Sequence, residues 1–411
     1  MKIKPCVIGL GYVGLPALIK ISKKFDAYGL DIDSRRIKTL QKKHDFNKEF
    51  SKKDLSILKK NNLKNKFKEI KNCNFFIVCV PTPIKSNKKP DLDPLILACR
   101  QIGKILKKND IVIFESTVYP GATEDVCVPI LEKYSGLNYK INDFDVCYSP
   151  ERINPGDKKH TIDKINKLIA IPNKKNEQKV KNVYRHLSKK IFISNSIKET
   201  ETSKVIENIQ RDVNIALMNE LYMFCEKLGL NFYNVFNQAK TKWNFGKYLP
   251  GLVGGHCLPV DPYYYSTFAK KFGIKTDLIL SGRKINNSMY KFMYNKLINE
   301  IRKLKINFRQ SRILILGLTY KKNVSDIRNS YAINIYKLLK NKFKNLHVCD
   351  PLLKNKKIKN IKIFKFNQIN KIDNIEIKFK RYNFDHELAI LYSSGTTGKP
   401  KCICHRTGGV L

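Results

Sequence analysis

Three glycines near the start of the chain, Gly9, Gly11 and Gly14, constrain the fold more than any other feature. They sit in the run Gly9-Leu10-Gly11-Tyr12-Val13-Gly14, after an apolar segment, Pro5–Ile8, and at the opening of an apolar helical stretch. The first glycine permits a tight turn and the second lets the backbone approach a pyrophosphate. The third lets helix and strand pack closely, so that the helix N-terminus faces the phosphates. An acidic residue, Asp31, ends the next predicted strand, seventeen residues after Gly14. A carboxylate there accepts an adenosine ribose 2′-hydroxyl and repels a 2′-phosphate, which favours NAD over NADP. Arg35 and Arg36 stand close enough to soften that preference. The segment is expected to bind a dinucleotide.

The pattern around this motif extends the reading. Apolar runs at Pro5–Gly9, Ala27–Leu30, Phe75–Val80, Ile111–Phe114, Phe144–Tyr148 and Lys167–Ile171 alternate with amphipathic helical stretches. That alternation predicts βαβ units and a parallel sheet. Between Thr200 and Leu228 the pattern becomes one long helix, with Val205, Ile209, Val213, Ala216 and Leu217 predicted as its apolar stripe. A Gly/Pro-rich loop, Pro250 to Gly255, follows, and more helix runs to about residue 305. Arg312–Gly317 opens a second, smaller α/β unit, in which a helix and a strand ending at Asp350 repeat the first opening.

Composition excludes more than it assigns. Lysine and arginine exceed aspartate and glutamate by 79 − 35 = 44, but the lysines run along the whole chain and define no single basic face. A nucleic-acid binder would show a clustered face with interleaved aromatics and a recognisable motif, and none occurs. With 42% apolar residues the chain is expected to bury a substantial core. The eleven cysteines form no paired framework, and several (Cys6, Cys79, Cys147, Cys349) fall in the apolar strands, so a reducing compartment is expected. No CxxC occurs and histidines number seven, so no metal site is expected. The N-terminal run imitates a signal peptide but lacks a small-residue cleavage site. No apolar run reaches the roughly 18–20 residues of a membrane span. A soluble, cytoplasmic protein with no membrane association and no specific nucleic-acid partner is expected.

Gly254-Gly255-His256-Cys257-Leu258-Pro259-Val260-Asp261 is the second informative stretch. A cysteine after two glycines stands on backbone that a substrate can approach closely. Asp261 can either order such a site or handle a proton. His256 is less suited as the base of a Cys–His pair, because adjacent side chains often point apart. On the long helix Lys204, Asn208 and Arg211 stand at i, i+4 and i+7 and share a face roughly opposite the apolar stripe. Periodicity alone leaves open whether that face is solvated or functional. Beside a reacting carbonyl, the Asn208 amide would help to hold an oxyanion.

Together the motifs resemble the UDP-glucose/GDP-mannose dehydrogenase family. The matching segments are Gly9 through Pro16, Val80-Pro81-Thr82-Pro83, Glu115 through Gly121 and Ser149 through Gly156. They continue with Lys204-Val205-Ile206-Glu207-Asn208, Pro250 through Asp261, Gly317 through Lys321 and Asp326 through Ser330. The resemblance implies an NAD-dependent enzyme that oxidises a nucleotide sugar's C6 alcohol to a carboxylate in two steps. It implies Cys257 as the nucleophile that forms a thiohemiacetal and then a thioester. Lys204 and Asn208 would stabilise the oxyanion and alkoxide, Asp261 and Thr117 would serve proton transfer through a water, and Glu151 would assist thioester hydrolysis. Cofactor contacts would come from Gly9, Gly11, Tyr12, Val13, Gly14, Asp31, Arg36, Thr82 and Arg328. Substrate contacts would come from Glu151, Arg152, Lys204, Asn208, Arg211, Phe245, Gly251 and Lys321.

The implied fold class is α/β, with two Rossmann-like parallel-sheet domains joined by a central long-helix domain. The expected domains are an NAD-binding domain at 1–197, a central domain at 198–305 and a UDP-sugar-binding domain at 306–380, expected to be incomplete. The central helix would build a homodimer. His256 and Val260 resemble the UDP-N-acetylglucosamine/galactosamine 6-dehydrogenase branch, with UDP-N-acetylmannosamine dehydrogenases as runner-up. The family pattern is expected to end near Asp373. From Phe384 the sequence resembles a phosphate-gripping loop of acyl-CoA synthetases, so 381–411 is expected to be a foreign, poorly packed tail. Leu388–Leu391 is apolar enough to act as a substitute strand.

Overall fold

The computed structural model describes residues 2–47, 49–85, 87–153, 162–305, 307–308, 311–353, 363–364, 387–392 and 402–406. The chain divides into two compact units. The first comprises Met1–Glu207 with Tyr263–Lys275, and the second comprises Asn208–Pro262 with Thr276–Leu411.

Eight strands form the sheet of the first unit: β1 (Pro5–Ile8), β2 (Tyr28–Leu30), β3 (Leu63–Lys64), β4 (Phe75–Val78), β5 (Ile111–Phe114), β6 (Asp145–Tyr148), β7 (Lys167–Ala170) and β8 (Ile191–Ser194). Their order is β3-β2-β1-β4-β5-β6-β7-β8, so the connection direction reverses between β1 and β4. Such a switch opens a crevice at the carboxyl ends of the strands, where ligands of doubly wound sheets bind. Every residue of β1, β4, β5 and β6 is buried, as expected of strands covered on both faces. Val7, Ile77 and Ile113 enter one core, while Ile8, Val78 and Phe114 enter the other, following the period of two.

The sheet is not parallel throughout, which corrects the expectation. β3 through β6 pair in parallel, but β7 runs antiparallel to β6 at Tyr148 and Ala170, and β8 is parallel to β7. A parallel neighbour needs a crossover, usually a helix, whereas an antiparallel one does not. Among the described residues between β6 and β7 no helix occurs. β3 and β8 were not predicted; β3 is only two residues long, and β8 is half-exposed.

In the second unit, Met218, Tyr222 and Cys225 of the helix Ile197–Lys227 pack with Phe232 and Phe236 of the helix Phe232–Ala239. Met289 and Met293 of the helix Asp277–Lys303 complete that core. β9 (Arg312–Leu316), β10 (Asn345–Cys349) and β11 (Ile363–Phe364) form a parallel sheet in the order β11-β10-β9, and the helix Tyr331–Lys340 lies between β9 and β10 in sequence. β12 (Glu387–Tyr392) and β13 (Cys402–Arg406) pair antiparallel in a sheet of their own. The expected substitute strand therefore forms, but it does not extend β11-β10-β9. Of the synthetase-like stretch from Phe384, residues 384–386 and 393–401 lie outside the described residues, as does the expected break near Asp373.

The long helix departs from its predicted stripe. Val205 and Ala216 are buried, but Leu217 is 49% exposed, as are Leu221, Phe224 and Leu228 to similar degrees. Glu201, Lys204, Asn208, Asp212 and Asn219 are buried instead. The shared face of Lys204 and Asn208 is therefore not a solvated one. Among the described residues no helix is long and apolar enough to cross a membrane, and no group of His, Cys, Asp or Glu is arranged to hold a metal ion.

Candidate active site

The glycine turn after β1 has three separate physical reasons for its glycines. Gly9 adopts φ +90°, and a Cβ there would lie 2.8 Å from the Cys79 carbonyl oxygen. A Cβ on Gly14 would lie 1.9 Å from the Gly9 carbonyl oxygen, so only glycine lets this helix approach the turn. A Cβ on Gly11 would meet nothing within 4 Å, which leaves an open, exposed cradle beside half-buried Tyr12 and Val13. The helix Gly14–Ile21 has no side-chain cap; in its first turn Leu15 N donates to the Gly11 carbonyl at 3.2 Å and Pro16 has no N–H.

Asp31 accepts from Leu10 N at 2.9 Å and from Asp33 N at 2.9 Å, which orients its carboxylate at the end of β2. Arg36 is placed differently from the expectation of a plain cofactor contact. It is buried, donates from Nε to the Leu10 carbonyl at 2.9 Å, and pairs with Asp45 at 2.7 Å. It braces the turn, and one terminal guanidinium nitrogen remains buried without a partner. Arg35 pairs with Asp33. Arg36 is thus committed to the turn, whereas the Arg35 side chain is 84% exposed. The open cradle at Gly11, the uncapped helix and the orphaned Arg36 nitrogen fit a bound dinucleotide.

Around the carboxyl ends of β4, β5 and β6, two predicted loops are tied together. Thr82 donates its hydroxyl to the Thr117 carbonyl at 2.6 Å, and Ser116 donates to the Val80 carbonyl at 2.6 Å. Tyr264 donates to the carbonyls of Thr82 and Pro83. Glu151, 8% exposed, accepts from the backbone N–H groups of Arg152 and Ile153 at 2.7 and 2.6 Å. Its other oxygen accepts from Lys167 at 2.9 Å, and Lys167 also pairs with Glu115 at 3.2 Å. Tyr184 donates to Glu115 at 2.7 Å. Burial alone would lower the Lys167 pKa, but Glu115 and Glu151 outweigh it and hold the ammonium above its usual range. Burial pushes Glu115 up despite Lys167. Sequence reading missed this lysine; its signal was a charge at the head of an otherwise apolar strand. Arg152 pairs with Glu207 at 2.6 Å.

In the second unit, Asn208 connects two of the predicted residues. Its amide nitrogen donates to Asp261, and its oxygen accepts from Arg211. The Arg211 Nε is buried without a hydrogen-bond partner among the described residues. Asp261 N and Val260 N both donate to the Cys257 carbonyl at 2.9 Å, which closes a turn at the start of the helix Asp261–Ala269. Val253 and Leu258 are buried on either side of the cysteine. Cys257 itself is exposed, whereas Cys6, Cys73, Cys99, Cys127, Cys147, Cys225 and Cys349 are buried and Cys79 is half-buried. Gly251 is held by Asn219, which accepts from its N–H at 2.7 Å and donates to its carbonyl at 3.0 Å. Phe245 packs edge-on to Phe236. Asn219 was not predicted, since a buried asparagine on a long helix carries no local signature. Lys321 follows the β9 turn and is half-buried, its carbonyl accepting from Thr319. Arg328 donates to Asp326 at 2.7 Å.

Comparison with known proteins matches this geometry to one family. The NAD-binding domain of the UDP-glucose/GDP-mannose dehydrogenase family matches residues 1–188, the central domain 198–288 and the UDP-binding domain 314–384. The family pattern thus reaches 384, past the expected end near Asp373. A UDP-N-acetyl-D-glucosamine 6-dehydrogenase of Pseudomonas aeruginosa is 43% identical over 350 residues, covering 85% of this chain and 83% of that protein. A protein of the same name from Salmonella typhi is 42% identical over 351 residues, covering 85% and 82%. The solved structure of a UDP-N-acetylmannosamine dehydrogenase from Pyrococcus horikoshii superposes with TM-score 0.78 at 34% identity, covering 85% of this chain and 84% of that one. The chain belongs to the UDP-glucose/GDP-mannose dehydrogenase family and is an NAD-dependent nucleotide-sugar 6-dehydrogenase.

Proposed function

We propose that the substrate is a UDP-N-acetylhexosamine, with UDP-N-acetylglucosamine or UDP-N-acetylgalactosamine favoured over UDP-N-acetylmannosamine and UDP-glucose, and that C6 is oxidised to the uronic acid through a thioester on Cys257. The observation that carries this reading is the exposed Cys257 on a glycine turn whose carbonyl is bonded by Asp261 N, with Asp261 in turn bonded to Asn208. The two UDP-N-acetylglucosamine enzymes at 43% and 42% identity support the hexosamine. NAD, when bound, supplies the acceptor for each of two hydrides.

The protein's residues do the rest. The Cys257 sulfur adds to the C6 aldehyde, so that a C–S bond forms and the carbonyl oxygen gains negative charge. Lys204 and the Asn208 amide stabilise that oxygen, and Asp261 and Thr117 move the proton through a water. Loss of the second hydride leaves the thioester. Water, assisted by Glu151, attacks its carbonyl; the C–S bond breaks and the thiolate is regained. Alcohol and water thus become carboxylate with two hydrides and three protons released. Half-buried Arg211 and Lys321 are suited to the diphosphate and sugar, and Arg152, Phe245 and Gly251 complete the set.

Two further features belong to this reading. Leu217, Leu221 and Phe224 on the long helix and Leu228 just past its end follow i, i+4, i+7 and i+11 and are all exposed, a stripe suited to a second copy of the chain in a homodimer. A cytoplasmic location suits an enzyme that draws on NAD and nucleotide sugars. The test is NADH formation with the four UDP-sugars in turn. UDP-N-acetylglucosamine or UDP-N-acetylgalactosamine should give the highest kcat/KM; a clear preference for UDP-glucose would overturn the assignment.

A further inference from the structure

The loop that carries Cys257 is gripped by one short segment, and a single carboxylate stands at the centre of that grip. Asp326 is 7% exposed. Its Oδ2 lies 2.8 Å from His256 Nε2, and it also accepts from Arg328 through Nε at 3.0 Å and Nη2 at 2.7 Å. Its Oδ1 accepts from the Arg328 backbone N–H at 2.9 Å. Burial opposes ionisation here, but the bonds from His256 and Arg328 outweigh it and hold Asp326 well below the usual carboxylate range. An ionised carboxylate only accepts, so His256 Nε2 carries the hydrogen and donates it.

Three other contacts reach the residues before Cys257. Asn329 donates from its side chain to the Gly255 carbonyl at 2.9 Å. The Tyr320 ring covers Gly255, which sits at φ +92°, so closely that a Cβ would lie 2.7 Å from it, and the ring meets His256 edge-on at 5.8 Å. A Cβ on Gly254 would lie 2.6 Å from the Asn329 carbonyl oxygen. Tyr320 is itself tied back to Asp326, donating its N–H to the Asp326 carbonyl at 3.1 Å. The backbone of 254 and 255 is thus fixed by packing, while His256 is fixed by a side-chain bond to Asp326. The next residue is Cys257.

We propose that Asp326 is a positioning residue for the Cys257 thiol, acting through His256. The carboxylate holds the imidazole, the imidazole holds the backbone from which Cys257 projects, and the thiol is thereby kept in line for the aldehyde. This rests on the reading of Cys257 as the nucleophile. It gives His256 a role other than that of a base, and it explains why a histidine precedes the cysteine in a chain that has Asp326 to receive it.

The test compares His256→Ala, His256→Gln, Asp326→Asn and the double variant His256→Ala/Asp326→Asn. Two readouts are taken, steady-state NADH formation and the rate at which iodoacetamide alkylates Cys257, mapped by peptide mass. Displacing a reacting group by about 1 Å costs on the order of 100-fold, so kcat should fall roughly 10- to 100-fold in His256→Ala and in Asp326→Asn. With NAD saturating, KM for the UDP-sugar should move by less than about threefold, since no residue assigned to the sugar is altered. Both variants should shift Cys257 alkylation in the same direction, His256→Gln should recover part of the loss through its amide donor, and the double variant should be no worse than the worse single one. Losses that multiply in the double variant, or wild-type kcat in His256→Ala, would overturn the proposal. Should Asp326→Asn fail to fold, the half-exposed His256 position decides: recovery by Gln supports the proposal and equal loss in Ala and Gln overturns it. Cys257→Ala is assayed alongside; if it still forms NADH to completion, the nucleophile reading itself is wrong.

Discussion

The turn after β1 and the turn after β9 share their first two residues and the hydrogen bonds around them. Gly9 and Gly317 have φ of +90° and +92°, and their N–H groups donate to the Leu30 and Cys349 carbonyls, each at 2.8 Å. Leu10 N and Leu318 N donate to Asp31 and Asp350 at 2.9 and 2.7 Å. Beyond that point the two diverge. The places of Gly11 and Gly14 are taken by Thr319 and Lys322, and the helix begins at Tyr331 instead of directly after the turn. Without a third glycine, no helix N-terminus can approach the second turn closely. The residues freed by that delay, Tyr320, Asp326 and Asn329, pack instead on the loop before Cys257. One local frame thus serves a dinucleotide in the first unit and a packing surface for the loop before Cys257 in the second.

The sharpest way to break this comparison is Gly14→Ala against Lys322→Ala. The first drives a Cβ to 1.9 Å from backbone oxygen and should abolish NAD binding and lower the melting temperature of the chain severely. The second, at an exposed site, should stay within about 0.5 kcal/mol of wild type in a denaturant titration. Equal effects would show that the two turns are not used differently.

A smaller but still large effect is expected for Lys167→Met, which leaves Glu115 and Glu151 facing each other in the first unit. Removing one partner from a buried ion pair costs about 3–5 kcal/mol, so chemical unfolding should shift accordingly. No counterpart in the second unit joins three buried charges in this way among the described residues, and Asp326→Asn should cost less. A loss below about 1 kcal/mol for Lys167→Met would mean that the carboxylates relax into water or share a proton.

The acidic residues of the two turns sharpen the comparison further. Asp31→Ala and Asp350→Ala each orphan backbone donors and should each cost about 1–3 kcal/mol. Asp31→Ala should also weaken NAD binding by calorimetry, while Asp350→Ala should leave it unchanged. The smallest effect on stability belongs to Gly11→Ala, whose Cβ meets nothing within 4 Å. Its melting temperature should stay at the wild-type value while NAD affinity falls; a normal affinity would remove the Gly11 cradle from the binding site.

What could be read from the sequence is what depends on neighbours in the chain. The glycine turn, Asp31 and the strand positions were legible because turn geometry and period-two burial are local. The link between Asp261 and Cys257 was legible for the same reason. Lys167 was not, because Glu115 and Glu151 reach it only once β5, β6 and β7 lie side by side. The partner of His256 stands seventy residues away, so the sequence could discount a Cys–His pair without finding Asp326. On the long helix, period 3.6 located one face but could not tell that Lys204, Asn208 and Asp212 would be buried while Leu217 and Leu221 stayed exposed. Periodicity reports that a face exists, whereas its burial is decided by what packs there.

The count of NADH formed per sugar tests the thioester on Cys257 most directly. With UDP-N-acetylglucosamine limiting and NAD in excess, the absorbance at completion should correspond to two NADH for each sugar consumed, with the uronic acid as product and no aldehyde trapped by hydroxylamine. One NADH per sugar with free aldehyde would contradict a thioester on Cys257 and with it the four-electron reaction.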